Sequence, residues 1–165
     1  MIITFYPRQL IVAIYDALKE EFPKEHVLYV ELDSVITGFQ NSLCWSALRN
    51  PNSSVENPIN TIIVESSFES EWMPRPEIVD RIANTSGLNQ TMSASCLKAI
   101  ETMISRAMAE ADVVVLEPIC TLRRAEEGRY ELELNGPFRV QPYKGMADDN
   151  ASPSTASAAA ASAGA

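Results

Sequence analysis

The 165-residue sequence is poor in the residues from which nucleotide and metal sites are usually built. It has six glycines and neither a GxxxxGK[ST] loop nor a GxGxxG turn, so no run of backbone amides can cradle a pyrophosphate. It has one histidine, His26, and three cysteines without CxxC or Cys/His spacing, which make no recognisable metal-ligand set. We therefore expect neither a cofactor nor a metal ion.

Positive charge is also scarce. Thirteen Lys and Arg residues stand against 22 Asp and Glu residues, which gives a formal net charge of -9. A broad phosphate-binding surface is therefore not expected, and DNA is not an expected partner, although a local basic patch can still exist on an acidic protein.

Long hydrophobic runs are absent as well. No apolar stretch approaches the roughly 20 residues of a transmembrane helix, and residues 1–16 lack the basic start of a signal peptide. The sequence predicts a soluble, intracellular protein that does not bind a membrane, with its three cysteines reduced.

Catalytic constellations are not recognisable in the sequence. Any Ser-His or Cys-His pair would need His26, which reads as a surface or strand-edge residue. Ser95 and Lys98 have the spacing of a Ser/Lys pair on one helix face, but that spacing arises by chance in many helices. We expect no catalytic residue and a protein that is not an enzyme.

What is present is a body of globular composition followed by a different tail. Residues 1–145 are long enough for one domain with a real core. Residues 146–165, MADDNASPSTASAAAASAGA, contain no aromatic and no basic residue. This composition predicts a disordered Ala/Ser-rich tail.

Apolar periodicity predicts alternating helices and strands in the body. A helix is predicted from Pro7 to about Glu21, a strand over His26–Leu32, a helix capped by Asp33 or Ser34 and ending near Leu48, and a strand over Ile59–Val64. A long structured loop with at most a short helix, EIVDRIA, is predicted over residues 65–90.

The strongest helical pattern covers Thr91–Ala111, with Thr91 or Ser93 as its cap. It leads into ADVVVLEPICTLR, which reads as one buried strand interrupted at Glu117-Pro118, then a charged turn over residues 123–128 and a half-buried strand over residues 129–134. Pro118 is expected at an edge, bulge or bend, with the Glu117 carboxylate bonded to backbone amides or to Arg123 or Arg124. The mixture predicts an α+β fold, a two-layer sandwich.

Residues 91–123, TMSASCLKAIETMISRAMAEADVVVLEPICTLR, resemble the second half of domain IV of translation elongation factor G, and are most similar to the mitochondrial ribosome-releasing factor 2 branch. The run Val115–Ile119, VLEPI, is the most specific part, and weaker similarity covers residues 31–123. The resemblance implies the βαβ fold of ribosomal protein S5 domain 2, with Glu117 and Pro118 as a structural signature. The family's GTPase domain is missing, and the tip loop has no histidine.

The resemblance implies a non-catalytic module that binds the ribosome or a ribosome assembly intermediate in translation. It favours a mitochondrial location, with a cytoplasmic one left open. Candidate residues for contact with RNA or a partner are Trp72, in a loop, and the basic residues Arg75, Arg81, Lys98 and Arg106. The alternative is a structural or assembly subunit that makes only protein–protein contacts.

Overall fold

Five β-strands form one mixed sheet in the computed structural model, which describes residues 1–21 and 29–144. The strands are β1 (Ile2–Phe5), β2 (Thr61–Glu65), β3 (Val113–Leu116), β4 (Cys120–Glu126) and β5 (Arg129–Leu134). They lie in the order β1-β3-β4-β5-β2, in which β1 is parallel to β3 and the other neighbours are antiparallel.

Four helices accompany this sheet in the described part of the chain: α1 (Pro7–Glu21), α2 (Tyr29–Leu48), α3 (Arg75–Ser86) and α4 (Gln90–Met108). The predicted α1, the end of α2 and the long α4 are confirmed. The apolar stripe of α4 is buried at Met92, Cys96, Ile100 and Ile104. Its cap is Asn89, whose side-chain oxygen accepts a hydrogen bond from the Met92 amide at 2.8 Å, in place of the predicted Thr91 or Ser93.

The core lies between the helices and one face of the sheet. Burial alternates along the strands, so that Val114 and Leu116 of β3 and Leu132 of β5 are inaccessible to solvent while their neighbours are not. These side chains belong to one cluster with Leu10, Ile14, Phe39 and other helical residues. The α+β class is confirmed, and so is the half-buried β5.

The strand predicted over His26–Leu32 is wrong where the structure describes it, because α2 already begins at Tyr29. Residues 26–28 lie outside the described residues. Leu32, Val35, Ile36 and Phe39 follow one another at helical spacing, and each is buried. Leu32 therefore belongs to the buried stripe of a helix, because packing in the core overrides the strand propensity of the segment.

The loop predicted over residues 65–90 contains a twelve-residue helix, α3. Prolines do not prevent this helix, because Pro74 caps it and Pro76 lies in its first turn, where a missing amide costs no hydrogen bond. Gly87 ends it in the left-handed conformation with φ 80°, and its amide donates to the Ala83 carbonyl at 2.8 Å. The loop is confined to the approach to α3 and to residues 87–89 before α4.

The segment ADVVVLEPICTLR forms two strands, so a single strand is wrong, but the predicted bend at Pro118 is confirmed. β3 ends at Leu116, which pairs with Cys120 of β4, and the bend between them contains Pro118 after a cis peptide bond. The charged turn is also wrong, since β4 continues to Glu126. Arg123 and Arg124 are the bases expected near Glu117. Arg123 instead pairs with Glu133 at 3.7 Å, and Arg124 donates to the Met108 carbonyl.

Candidate functional site

Helix α4 carries two of the predicted contact residues on its solvent side. Lys98 and Arg106 are exposed. Eight residues separate them, which is a little over two helical turns, so they lie on the same side of the helix. The side chains of Lys98 and Arg106 therefore both border the space between α4 and α1.

Two adjoining cavities flank α4. One, of about 670 Å³, lies between α3 and α4 and reaches the end of α1. The other, of about 440 Å³, lies between α1 and α4. They share Glu21, Ser95 and Lys98, and we call the two together the α4 groove. The side chains that line it are Ala13, Asp16, Ala17, Glu20, Glu21, Arg75, Pro76, Val79, Asp80, Gln90, Thr91, Ala94, Ser95, Lys98, Ala99, Thr102, Met103 and Arg106.

The groove brings together three of the four predicted bases, Arg75, Lys98 and Arg106, and opposes them with acids. Its acidic side chains are Asp16, Glu20, Glu21 and Asp80. Arg75 is already engaged, because its guanidinium lies 3.3 Å from Glu101 and donates to the Ser67 carbonyl at 3.2 Å. The lining of the groove therefore combines charges of both signs with small alanine side chains.

Ser95 lies at the centre of the α4 groove, where its hydroxyl donates to the Glu21 carboxylate at 2.5 Å. This bond ties α4 to the end of α1. The hydroxyl is therefore committed to a carboxylate, which is a different arrangement from the lysine-activated serine considered from the sequence.

The fourth predicted base, Arg81, lies inside the protein and not in the groove. Only 11% of its side chain is exposed. Its guanidinium lies 4.9 Å from the ring centroid of the buried Trp45 and 3.5 Å from Glu77. Burial lowers the pKa of Arg81, Glu77 raises it and Arg49 lowers it, with a net decrease. This arginine holds α3 to α2.

Arg49 completes the cluster that contains Arg81. It donates two hydrogen bonds to the Glu77 carboxylate, at 2.7 and 2.6 Å, and its guanidinium lies 5.3 Å from the Trp45 ring. Burial raises the pKa of Glu77. The hydrogen bonds and charges of Arg49 and Arg81 lower it by more than burial raises it, so the net shift is downward. The sequence shows a trace of this cluster in two spacings of four residues, Trp45 to Arg49 and Glu77 to Arg81.

Trp72 lies away from the α4 groove. It is half-buried, and it lines a third cavity of about 790 Å³ next to β2 and the β4–β5 turn. The charged side chains of this cavity are Glu65, Glu69, Glu71, Glu126 and Arg129. Arg129 is paired with Glu65 at 3.2 Å and with Glu126 at 3.3 Å. The predicted aromatic contact and the predicted basic contacts therefore belong to separate surfaces.

The three cysteines are buried free thiols. Burial raises the pKa of Cys44 and of Cys96 to about 12, and it raises that of Cys120 further. No group of three or more His, Cys, Asp or Glu side chains in residues 1–21 and 29–144 could hold a metal ion. In the same residues, no helix has both the length and the apolar character needed to cross a membrane.

Comparisons with protein-family models, curated proteins and solved structures found no match to this chain.

Proposed function

We propose that the protein is a non-catalytic binding module that docks on a protein partner through the α4 groove. The observation that carries this proposal is that three bases, four acids and four alanines line one groove. Such a surface complements a protein segment that presents both signs of charge around small apolar side chains. Electrostatic complementarity of this kind selects the partner and its orientation.

An RNA backbone fits this surface less well. Phosphate binding needs cations that are not already neutralised, because affinity arises from the release of counterions. Arg75 is paired with Glu101, Arg81 is buried against Trp45, and Lys98 shares its cavities with Glu21. The formal charge of -9 adds a repulsive field. These facts favour protein contacts over RNA contacts.

The experiment is charge reversal in the groove combined with site-specific crosslinking. A photoreactive residue at Thr102, which lines the groove, is expected to crosslink to protein in cells. The double variant Lys98→Glu/Arg106→Glu is expected to reduce that crosslinking by roughly tenfold or more. Lys19→Glu is the matched control, because Lys19 is an exposed base of α1 that does not line the groove.

Crosslinks to RNA alone, or crosslinks that the double variant leaves unchanged, would contradict a protein-binding groove. Circular dichroism and urea unfolding of each variant accompany the crosslinking. Near-native results show that the substitutions change the surface and leave the fold intact.

A second candidate function is a ribosome-binding module similar to elongation factor G domain IV, with the S5 domain 2-like fold and a mitochondrial location. It is supported by the resemblance of residues 31–123 and by the way α4 runs directly into β3 and then to Glu117-Pro118. Lys98 and Arg106, the exposed bases of α4, are the residues that would contact the ribosome.

Binding to isolated ribosomal subunits across a salt series tests this second candidate. Association that weakens with salt, and a slope that falls by about 2 in Lys98→Glu/Arg106→Glu, would support it. Absence of association with either subunit at low salt would rule it out.

A further inference from the structure

The outer edge of β1 has no neighbouring strand in the part of the chain that the structure describes. The carbonyls of Met1 and Phe5 accept hydrogen bonds from Asp112 and Glu117, so these residues turn their backbone groups toward β3. Because backbone direction alternates along a strand, the amides and carbonyls of Ile2 and Thr4 point away from the sheet. No described residue pairs with them, since β1 is the terminal strand in the sheet order.

This edge lacks the features that normally prevent strand pairing. Natural edge strands are usually protected by charges, prolines, bulges or a covering segment. β1 has the sequence IITF, with none of these. At the opposite edge, β2 has a covering segment, because Val64 bridges to Ser70. The β2 edge of the sheet is therefore partly covered, whereas the β1 edge has no such protection among the described residues.

Exposed apolar side chains are concentrated in β1 and the residues that follow it in the sequence. Of the six large hydrophobic residues that are strongly exposed, four lie within the first twelve residues: Met1, Ile2, Tyr6 and Val12. Ile2 is 66% exposed on the open face of the sheet. An uncharged edge with apolar neighbours is a surface that another strand can cover.

We propose that β1 pairs with β1 of a second copy in antiparallel orientation, so that two sheets join across a twofold axis. The charges at the two ends of the edge favour this partner. Asp112, with 88% of its side chain exposed, lies at the start, where its carboxylate contacts the Met1 amino group at 3.0 Å, and exposed Arg8 lies at the other end. Antiparallel pairing brings Arg8 of each copy toward the exposed Asp112 carboxylate of the other, which can accept from a second cation beside its own Met1 amino group.

The backbone directions and the shortness of the edge select the register. Residues that exchange hydrogen bonds across an antiparallel pair must both point outward, and the register that uses both outward residues of each copy pairs Ile2 with Thr4 of the second copy and Thr4 with its Ile2. The twofold axis then passes between the two Ile3 residues. Tyr6 cannot extend the ladder, because its amide bonds to the Gln9 side chain at 2.7 Å and its carbonyl accepts from the Gln9 amide at 2.9 Å.

Analytical ultracentrifugation of the full chain tests the dimer. The wild-type protein is expected to show a concentration-dependent dimer. Thr4→Pro removes an outward donor without touching the ladder to β3, and it deletes two of the four bonds across the seam. Its dissociation constant is expected to rise by about tenfold or more. Ile2→Lys is a second disrupting variant, and Ile63→Lys on β2 is its matched control, since Ile63 is a 47% exposed isoleucine on the opposite edge strand.

Crosslinking tests the register. A mixture of Ile2→Cys and Thr4→Cys chains is expected to form a reducible heterodimer, because paired residues have Cα atoms about 5.5 Å apart, within disulfide reach. Neither variant alone is expected to crosslink, since like residues are displaced by two positions. The native cysteines are buried and should not compete. A monomeric wild type, a dimer that Thr4→Pro leaves unchanged, or Ile2→Cys chains that crosslink with themselves would overturn the proposal.

Discussion

Glu77 is the residue on which the contact between α2 and α3 depends most. It is the one carboxylate that contacts both Arg49 and Arg81 in the cluster around Trp45, as far as the described residues show. Removing its charge leaves two largely buried guanidinium groups without a compensating negative charge, which costs more than the loss of a surface pair.

We predict that Glu77→Gln lowers the free energy of unfolding by about 2 kcal/mol. Urea unfolding followed by circular dichroism measures the change. Glu131→Gln is the matched control, because Glu131 is exposed on the open face of the sheet and should change stability by less than about 0.5 kcal/mol. Equal effects of the two substitutions would show that the cluster does not stabilise the fold.

The same carboxylate makes stability depend on pH in the acid range. The pKa of Glu77 is lower in the folded protein than in the unfolded chain, because Arg49 and Arg81 outweigh the effect of burial. Its contribution is therefore fully present above the unfolded pKa and is lost as the pH falls through the folded pKa.

We expect the stability difference between wild type and Glu77→Gln to be largest near pH 7 and to narrow steadily below about pH 4. Urea unfolding of both proteins at several pH values measures it. A difference that stays constant down to the acid limit would mean that Glu77 is not preferentially ionised in the folded state.

At this scale the sequence predicted Arg75, Lys98 and Arg106 as contact residues, and the structure places them around one groove. The sequence did not show that Arg81, unlike these three residues, is buried. A basic residue of an amphipathic helix is expected on its polar face, and only the tertiary contact with Trp45 of α2 shows that this guanidinium is covered. Pairing between distant elements has no local signal beyond the spacing of Glu77 and Arg81.

At the scale of elements, the packing of α2 on α3 depends on Gly38. A Cβ atom at this position would lie 2.9 Å from the Ile82 Cα and 3.1 Å from the Arg81 carbonyl oxygen, and both are backbone atoms of α3. Backbone cannot rotate away as a side chain does. The absence of a side chain at Gly38 therefore sets how closely the two helices approach.

We predict that Gly38→Ala destabilises the protein by about 1–3 kcal/mol because α3 must shift, even though alanine favours an isolated helix by about 1 kcal/mol. Thermal and urea unfolding measure the net change in the free energy of unfolding. Gly136→Ala is the control, since nothing lies within 4 Å of the corresponding Cβ position. A stabilised Gly38→Ala would show that the helix contact can relax at little cost.

The elements that the sequence predicted well have long periodic patterns, and the ones it missed do not. Helix α4 repeats its apolar stripe over five turns, and β5 alternates over six residues. By contrast, β1 is four residues long and has no alternation to detect. Tyr29–Leu32 has strand-like residues, yet Leu32 continues the stripe of Val35 and Phe39, so a longer window would have assigned it to α2.

The sheet as a whole sets which parts of the molecule open first. β4 is paired along both of its sides, with β3 and with β5, whereas β2 is an edge strand paired with β5 alone along most of its length. The core face of β4 is also inaccessible at Cys120 and Leu122. Amides in β4 can therefore exchange only when several strands separate, while those on the free side of β2 need only local opening.

We predict that backbone amides of β4 between Cys120 and Arg124 exchange with deuterium at least tenfold more slowly than those of β2, at neutral pH and without denaturant. Hydrogen-exchange mass spectrometry with peptides that cover each strand measures the two rates. Mild urea should accelerate the β4 amides in proportion to global unfolding and leave the fastest β2 amides nearly unchanged. If β4 exchanged as fast as β2, the central position of β4 and the sheet order β1-β3-β4-β5-β2 would both be wrong, because a strand bonded on both sides has no local route to exchange.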